Sequence, residues 1–523
     1  MIQAVYQLSG SRTEAASLAD KVALEQSLEV PRSVAEAAGL PAGTIGEVVS
    51  LEPAPDSAWL ATVHYATWLA SRRPSQLLNL LGGNCSMLPG VRLVDVTLPD
   101  ELTQHFAGPR YGIPGLRGTL GIAKRPLLCS AIKPRGVSNE RLAEVAGAMA
   151  LGGCDLIKDD HNLVDEDAQA FATRISTIQR AVRDAQQQTG RPCLYLPNLA
   201  AGPTDWADYL KALENAGIQG VLLAPMLMGF DAVAHLRTST DLLLMAHPTL
   251  AGGPLLGTDH GIAPAVLLGT LMRLVGIDAS VFPNAGGRFA FTQKTCMDLA
   301  HALRRDDGPG PGAWPTPAGG MSVDRIDEQA EIYGPETCWL VGGAMLQHPD
   351  GIERGAAELH EALVARFGDE RTDISTSQHV SACEVPMPDG ISTAVHTVLR
   401  RLESGWEDRH AVDYKADDAL PFQGVKRYEL MGKADEPMHF DVRYFELEPG
   451  GHTSREKHRH VHAIIAAEGR GEVEIDGQTS PLDAHDLAYI PPLAVHQIRN
   501  RDDNTPFGFY CIVDRDRDRP QAP

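Results

Sequence analysis

The chain has 523 residues, 43% hydrophobic and 22% charged, the balance of an ordinary globular protein and too much chain for one core. Its formal net charge of -22 works against nucleic acid and anionic membrane as partners, and no apolar run is long enough to span a bilayer. The opening MIQAVYQLSGSRTE lacks the basic and apolar regions of a secretory signal. The eight cysteines are scattered without a CxxC, so buried reduced thiols and a cytoplasmic location are expected.

Residues 1–120 mix strand-like runs at 2–8, 43–53, 57–67 and 91–99 with two helical segments, which predicts a small α+β domain. From 121 to 370 the pattern alternates. Short apolar runs lie at 125–133, 154–158, 192–197, 220–225, 241–246, 278–283, 313–318 and 338–343. Helical spacing separates them, as at 138–153, where Leu142, Val145, Ala146 and Met149 share a face, Ser138 is the N-cap and Gly152 the stop. Similar segments lie at 165–187, 204–216, 260–275, 289–304 and 352–367. Eight such repeats predict a (β/α)8 TIM barrel; a doubly wound sheet would alternate likewise, but no GxGxxG follows the first strand. Residues 371–420 read as a linker, and from 421 to 518 a period of two with frequent turns predicts a small all-β barrel.

Barrel active sites lie where strands end. Those ends carry Lys133, the run Lys158-Asp159-Asp160-His161, Asn198, His247, Asn284, Arg288, and the pairs Gly319–Gly320 and Gly342–Gly343. Glycine pairs let backbone N–H groups close on a phosphate, with Arg288 as the opposing charge; the plainer reading is tight turns. For the stretch CDLIKDDHN the plain reading is a charged loop with an ion pair. The functional one is a metal or enolisation site in which Asp160 and His161 are ligands and a lysine of depressed pKa is a base. Farther on, His458, His460 and His462 alternate as on one face of a strand, and His496 stands on a later strand. Such a set suits a divalent transition metal (Mn, Fe, Ni or Zn), against the plainer reading of an exposed histidine-rich edge.

CSAIKPRGVS and GGCDLIKDDHN resemble the two lysine motifs of the RuBisCO large-chain family. NAGGRF, PAGGMS and VGGAMLQHPDG are similar to its later loop and phosphate motifs, and LGGNC to its N-terminal asparagine motif. The resemblance covers about residues 1–370. It implies a ferredoxin-like N-terminal α+β domain, a TIM barrel, and a homodimer in which each active site borrows from the neighbour's N-terminal domain. By motif match, Lys158 is the carbamylated metal ligand, Asp160 a second ligand of Mg2+ or a softer ion, Lys133 the enolising base and Asn84 the borrowed residue. His247 joins the catalytic set.

Three positions depart from the pattern: His161 replaces a glutamate ligand, Arg288 the lysine of the flexible loop, and Val281 a histidine. These changes imply a RuBisCO-like protein of the non-carboxylating kind (form IV). GGHTSREKHRHVHAIIAAEG resembles cupin metal motifs, with Glu456 and His458 at the first two ligand positions and His462 where many cupins carry glutamate. Whether Glu456 or His460 completes the set is left open. Taken together, the resemblances imply enolisation-type chemistry on a phosphorylated sugar derivative. The leading expectation is a 5-methylthioribulose 1-phosphate isomerase whose cupin acts on a related intermediate. A decarboxylase of a 3-oxo sugar-acid phosphate (the 3-oxo-isoapionate 4-phosphate type) and a non-catalytic metabolite- or metal-sensing fusion are the alternatives.

Overall fold

In the computed structural model the run IQAVYQL is a strand, β1 (Ile2–Leu8), that buries every second side chain. The structure describes residues 1–368 except 42, 288 and 290, and then 401, 406, 410–412, 414, 421–431, 440–458 and 460–514. The chain separates into two units, Met1–Ala382 and Cys383–Pro523.

In the first unit β1 pairs antiparallel with β3 (Trp59–Tyr65) and β4 (Val91–Thr97), and β3 with β2 (Glu47–Pro53). Helices Arg12–Ser27 and Pro74–Gly82 pack with this sheet. The first helix starts at a capping box, in which Ser11 and Glu14 satisfy each other's backbone N–H groups.

All eight predicted barrel strands form. They are β5 (Leu127–Ile132), β6 (Leu156–Asp159), β7 (Leu194–Leu196), β8 (Gly220–Leu223) and β9 (Leu243–Ala246), then, past a short β10 (Gly261–Ile262), β11 (Ala279–Pro283), β12 (Trp314–Ala318) and β13 (Cys338–Leu340). Their order, β7-β6-β5-β13-β12-β11-β9-β8, is parallel throughout. A parallel bridge between Asn198 and Leu222 joins the outer two strands and closes the ring. Strands covered on both faces must be apolar on both, which is why they read as continuous apolar runs.

Several expectations shift. The helix Gly112–Leu120, expected in the N-terminal domain, packs Ile113, Leu116 and Leu120 among Leu127, Leu156, Leu243 and Trp314 at the strand starts, plugging that end of the barrel. Its entry is held by Asp278, which accepts from the N–H groups of Tyr111 and Gly112 (2.7 and 3.0 Å). The predicted helix at 260–275 is split. Gly261–Ile262 leaves the barrel to pair parallel with β4, and π-helical Ala265–Thr270 followed by Leu271–Leu274 starts only after Pro264. Gly152 ends the helix Asn139–Gly152, but the left-handed residue that stops it is Gly153 (φ 107°). The helices Phe230–Ser239 and Ile326–Tyr333 went unread, being short with narrow apolar faces.

The second unit is antiparallel. Its strands are β14 (Ala411–Val412), β15 (Gln423–Met431), β16 (Phe440–His452), β17 (His462–Glu468), β18 (Arg470–Ile475), β19 (Gln478–Asp483), β20 (Leu487–Ile490), β21 (His496–Asn500) and β22 (Phe507–Asp514). The main path runs β19-β18-β21-β16-β22-β17-β20, and Phe445, Leu447, Ile464, Ile498, Phe507 and Phe509 fill the interior of this barrel. Part of the expected linker belongs here. Trp406 and Tyr414 are buried in its clusters, β14 pairs with β15, and Arg401 bridges Glu446 and Glu468 (3.1 and 2.9 Å). Residues 371–400 of the expected linker lie outside the described residues.

Candidate active site and metal centre

The stretch CDLIKDDHN divides its charges by strand geometry. Along β6 successive side chains alternate, so Leu156 and Lys158 face the barrel axis while Ile157 and Asp159 face the helices. Asp159 is therefore an ion-pair residue. Its carboxylate accepts from Arg174 Nη1 (2.6 Å), Tyr195 OH (2.8 Å) and the Asn198 N–H (2.9 Å), with Arg174 also bridging Asp165 (2.8 Å).

The inward residues meet at the open end of the barrel, in a cavity of about 930 Å³. Lys158 lies at its floor, 2% exposed, with Nζ donating to Asp159 O (3.0 Å); burial lowers its pKa, with Lys133 adding to the effect and Asp160 opposing it. Lys133, at the end of β5, is 46% exposed and places Nζ 2.9 Å from Asp160 Oδ2. Burial pushes the Asp160 carboxyl up, but hydrogen bonds from Lys133 and the Asn162 N–H outweigh it and hold the pKa at about 2. His161 stacks on His247 (centroids 4.1 Å apart, planes at 14°), and its Nδ1 is 3.5 Å from Asp160 Oδ1. Asn198 ties this loop down by donating to the carbonyls of His161 and Leu163 (3.0 and 3.1 Å).

His247 bonds Thr249 (2.5 Å), and burial, with Lys158 and His161 adding, lowers its pKa to about 3. It is expected to remain neutral from pH 8 down to about 4, a state that imidazole nitrogen shifts report directly. The sign for stability follows. Between pH 6.5 and about 3 the unfolded chain takes up a proton that folded His247 refuses, so its contribution is full above pH 6.5 and falls as pH drops.

Gly319, Gly320, Gly342 and Gly343 line the cavity. Gly319 and Gly320 have positive φ (93° and 69°), and a Cβ on Gly319, Gly342 or Gly343 would meet nothing within 4 Å, so their backbone is open to a ligand. Arg288, the expected opposing charge, lies outside the described residues. Arg325, which sequence reasoning missed, does line the cavity; its guanidinium is anchored on the carbonyls of Gly320 (2.9 Å) and Ala285 (3.2 Å) and paired with Glu328. Its only signal was its place five residues beyond the glycine pair. Most of the rest of the wall is apolar, including Leu250, Leu255, Leu256, Phe291 and Met321. Asn84 donates to Glu25 (3.0 Å), and Asn284 accepts from Tyr333 OH (2.6 Å); neither lines the cavity.

In the second unit Glu456, His458, His460, His462 and His496 are all buried. Two overlapping donor sets, His458–His460–His462 and Glu456–His458–His496, each have ligand atoms within 4.8 Å of one another. The three neighbouring histidines do not share a strand as expected. His458 Nδ1 bonds the His460 carbonyl (2.9 Å), turning the chain, and β17 begins only at His462. His460 comes in by stacking on His458, centroids 3.6 Å apart. Burial first, then the neighbouring imidazoles, lower the pKa of His458 to about 4 and that of His462 well below its ordinary value, leaving both neutral at pH 7. His458 Nε2 and His462 Nε2 are buried without a hydrogen-bond partner. Neutral, desolvated, convergent imidazoles fit a transition-metal ion.

The profile of the ribulose bisphosphate carboxylase large chain, catalytic domain, matches residues 112–298. Ribulose bisphosphate carboxylase-like protein 1 of Rhodopseudomonas palustris is 40% identical over 365 residues, which span 69% of this chain and 97% of that protein. The chain belongs to the RuBisCO large-chain family. The cupin domain profile matches residues 443–513, so the second unit is a cupin joined to a RuBisCO-like protein. The 5-methylthioribulose-1-phosphate isomerase of Rhodospirillum rubrum is 36% identical over 360 residues, 68% of this chain and 94% of that one. A crystal structure of a Rubisco-like protein from Rhodopseudomonas palustris superposes with a TM-score of 0.63 at 35% identity, covering 69% of this chain and 97% of that one.

RuBisCO-family barrels imply a divalent ion, and the mouth tests the fit. Asp160 and His161 supply one carboxylate and one imidazole. Among the described residues, sets of three carboxylate, imidazole or thiol donors occur only in the cupin. A carbamate on Lys158 would supply a further oxygen at the mouth. Its lowered pKa favours the neutral amine that carbamylation requires, so the set fits an ion with that modification in place.

Proposed function

We propose that the RuBisCO-like unit is a non-carboxylating enzyme that moves a proton on the carbon beside a carbonyl of a phosphorylated sugar derivative, with 5-methylthioribulose 1-phosphate as substrate and isomerisation as the outcome. The observation that carries this reading is the accessible Lys133 ammonium set 2.9 Å from Asp160, above the buried Lys158. In this reading Lys133 first gives up its ammonium proton to solvent at the open mouth, then takes the substrate proton as the neutral amine, and Asp160 aims it. Neutral His247, stacked on His161, donates to or accepts from the substrate oxygens without bringing charge. Gly319, Gly320, Gly342 and Gly343 hold the phosphate, with Arg325 beside them and Arg288 assigned there by motif. Lys158 as a carbamate, Asp160 and His161 would hold a divalent ion, which when bound supplies positive charge to the developing enediolate oxygen. Carboxylation is disfavoured by His161, Arg288 and Val281 at the three departing positions.

The apolar wall of Leu250, Leu255, Leu256, Phe291 and Met321 supports a substrate with an apolar end, such as a methylthio group. It gives a hydrophilic 3-oxo sugar acid less to bind. The similarity to an isomerase of that name supports the same choice. In a homodimer, Asn84 would serve a neighbouring copy's mouth. The cupin would bind its metal through His458, His462 and His496, with Glu456 or His460 completing the set, and act on a related intermediate.

The test incubates the purified full chain with 5-methylthioribulose 1-phosphate in D2O and follows loss of the C–H signal and product formation by NMR. Exchange with isomerised product is expected. Release of CO2 from a 3-oxo acid phosphate without such exchange would move the assignment to the decarboxylase, and silence with both substrates would leave the sensor reading.

A further inference from the structure

Metal-binding imidazoles are usually aimed by what holds their other nitrogen. In the cupin cluster two of these supports are backbone carbonyls: His458 Nδ1 bonds His460 O and His496 Nδ1 bonds Ala494 O, each at 2.9 Å. The support of His462 is different in kind. Its Nδ1 lies 3.4 Å from Cys511 Sγ, which also accepts from Arg443 Nη2 at 3.4 Å. Cys511 is 2% exposed on β22, packed in the cupin interior, and stands outside both donor sets. The geometry places the thiol behind the imidazole, while His462 Nε2 and His458 Nε2, both buried and unpartnered, face the cluster.

We infer that Cys511 is a positioning residue for the cupin metal. Its sulfur takes the Nδ1–H of His462, which fixes the tautomer whose Nε2 lone pair meets the ion. Arg443 holds the sulfur in place from the other side, its guanidinium lying over Phe445 (5.4 Å). This rests on the metal-site reading of the cluster. A sulfur acceptor is larger and more polarisable than a carbonyl oxygen, and it sits on a separate strand. The orientation of His462 therefore depends on the β17–β22 pairing, whereas His458 and His496 are held by residues two positions away in the chain.

The experiment strips the full chain with a chelator, titrates it with Co2+ and records affinity and the visible ligand-field bands. His458→Ala serves as the background that subtracts any cobalt held elsewhere. Wild type is expected to show bands that His458→Ala lacks. Cys511→Val keeps the volume but removes the acceptor, and should weaken Co2+ binding by about 10–100-fold and shift those bands. Cys511→Ser, which restores an acceptor, should recover most of the affinity. Should the valine variant fail to fold, Cys511→Ala carries the same comparison. Unchanged affinity and bands in a folded valine or alanine variant would overturn the role of Cys511 while leaving the metal site standing. Absence of any His458-dependent cobalt signal in wild type would instead overturn the metal reading, and the inference with it.

Discussion

Lys133→Ala is expected to slow C–H exchange of the substrate with D2O by about 10²–10⁴-fold, the usual worth of a general base, with only a small loss of thermal stability. The two halves of this result have separate causes. Lys133 is 46% exposed at the mouth, so its removal opens no core cavity, and Asp160, which loses its ionic partner, keeps the bond from the Asn162 N–H. Its ammonium is the accessible cation at hydrogen-bond distance from Asp160, whose carboxylate stays ionised at working pH with a pKa of about 2. Asp160→Asn should also slow exchange, because it loosens the aim of Lys133 and removes one of the groups proposed to hold the ion. Exchange at the wild-type rate in Lys133→Ala would remove this residue from the reaction and shift attention to the buried Lys158.

Arg174→Met is expected to cost about 3–5 kcal/mol, the penalty for leaving one member of a buried ion pair alone. Asp159 is fully buried on the outward face of β6 and has Arg174 as its ionic partner. Methionine fills similar space without a charge, so the effect isolates electrostatics from packing. Thermal unfolding should move to lower temperature, and Asp159→Asn added to Arg174→Met should restore part of the loss. An unchanged melting temperature would mean that Asp159 is carried without charge. Activity should fall as well, since Asp159 accepts from the Asn198 N–H and Asn198 in turn holds the His161 loop through its side chain.

The two substitutions show how one short motif was partly legible. The run of four ionisable groups after an apolar strand marked a site, and the motif match assigned roles to Lys158, Asp160 and His161. What sequence did not show is that Asp159 turns outward onto Arg174, because neighbours of the same type differ only in which side of β6 they face. Both aspartates of CDLIKDDHN are in ion pairs, Asp159 with Arg174 on the outer face and Asp160 with Lys133, but only Asp160 and Lys158 line the cavity. Arg325 escaped notice because an arginine inside a polar loop has no periodic or motif signal, and only the approach of the loop after β12 to the carbonyl of Ala285 brings it to the glycine rim. The histidine cluster was found for a reason only half right. Alternation placed three histidines together, but a turn at His458 and ring stacking gather them, which local spacing does not encode.

The sequence by itself determined the parts that depend on local pattern: eight strands buried on both faces, a period-two C-terminal barrel, and the motifs that mark the family and its departures from carboxylation. Tertiary structure decided what depends on residues far apart in the chain. It drew Gly112–Leu120 under the barrel, lent Gly261–Ile262 to the N-terminal sheet, turned Asp159 outward onto Arg174, and set Cys511 behind His462. Hydrophobic periodicity reports whether a side chain is buried. Which partner it meets there is chosen by the register and closure of sheets whose strands lie tens to hundreds of residues apart.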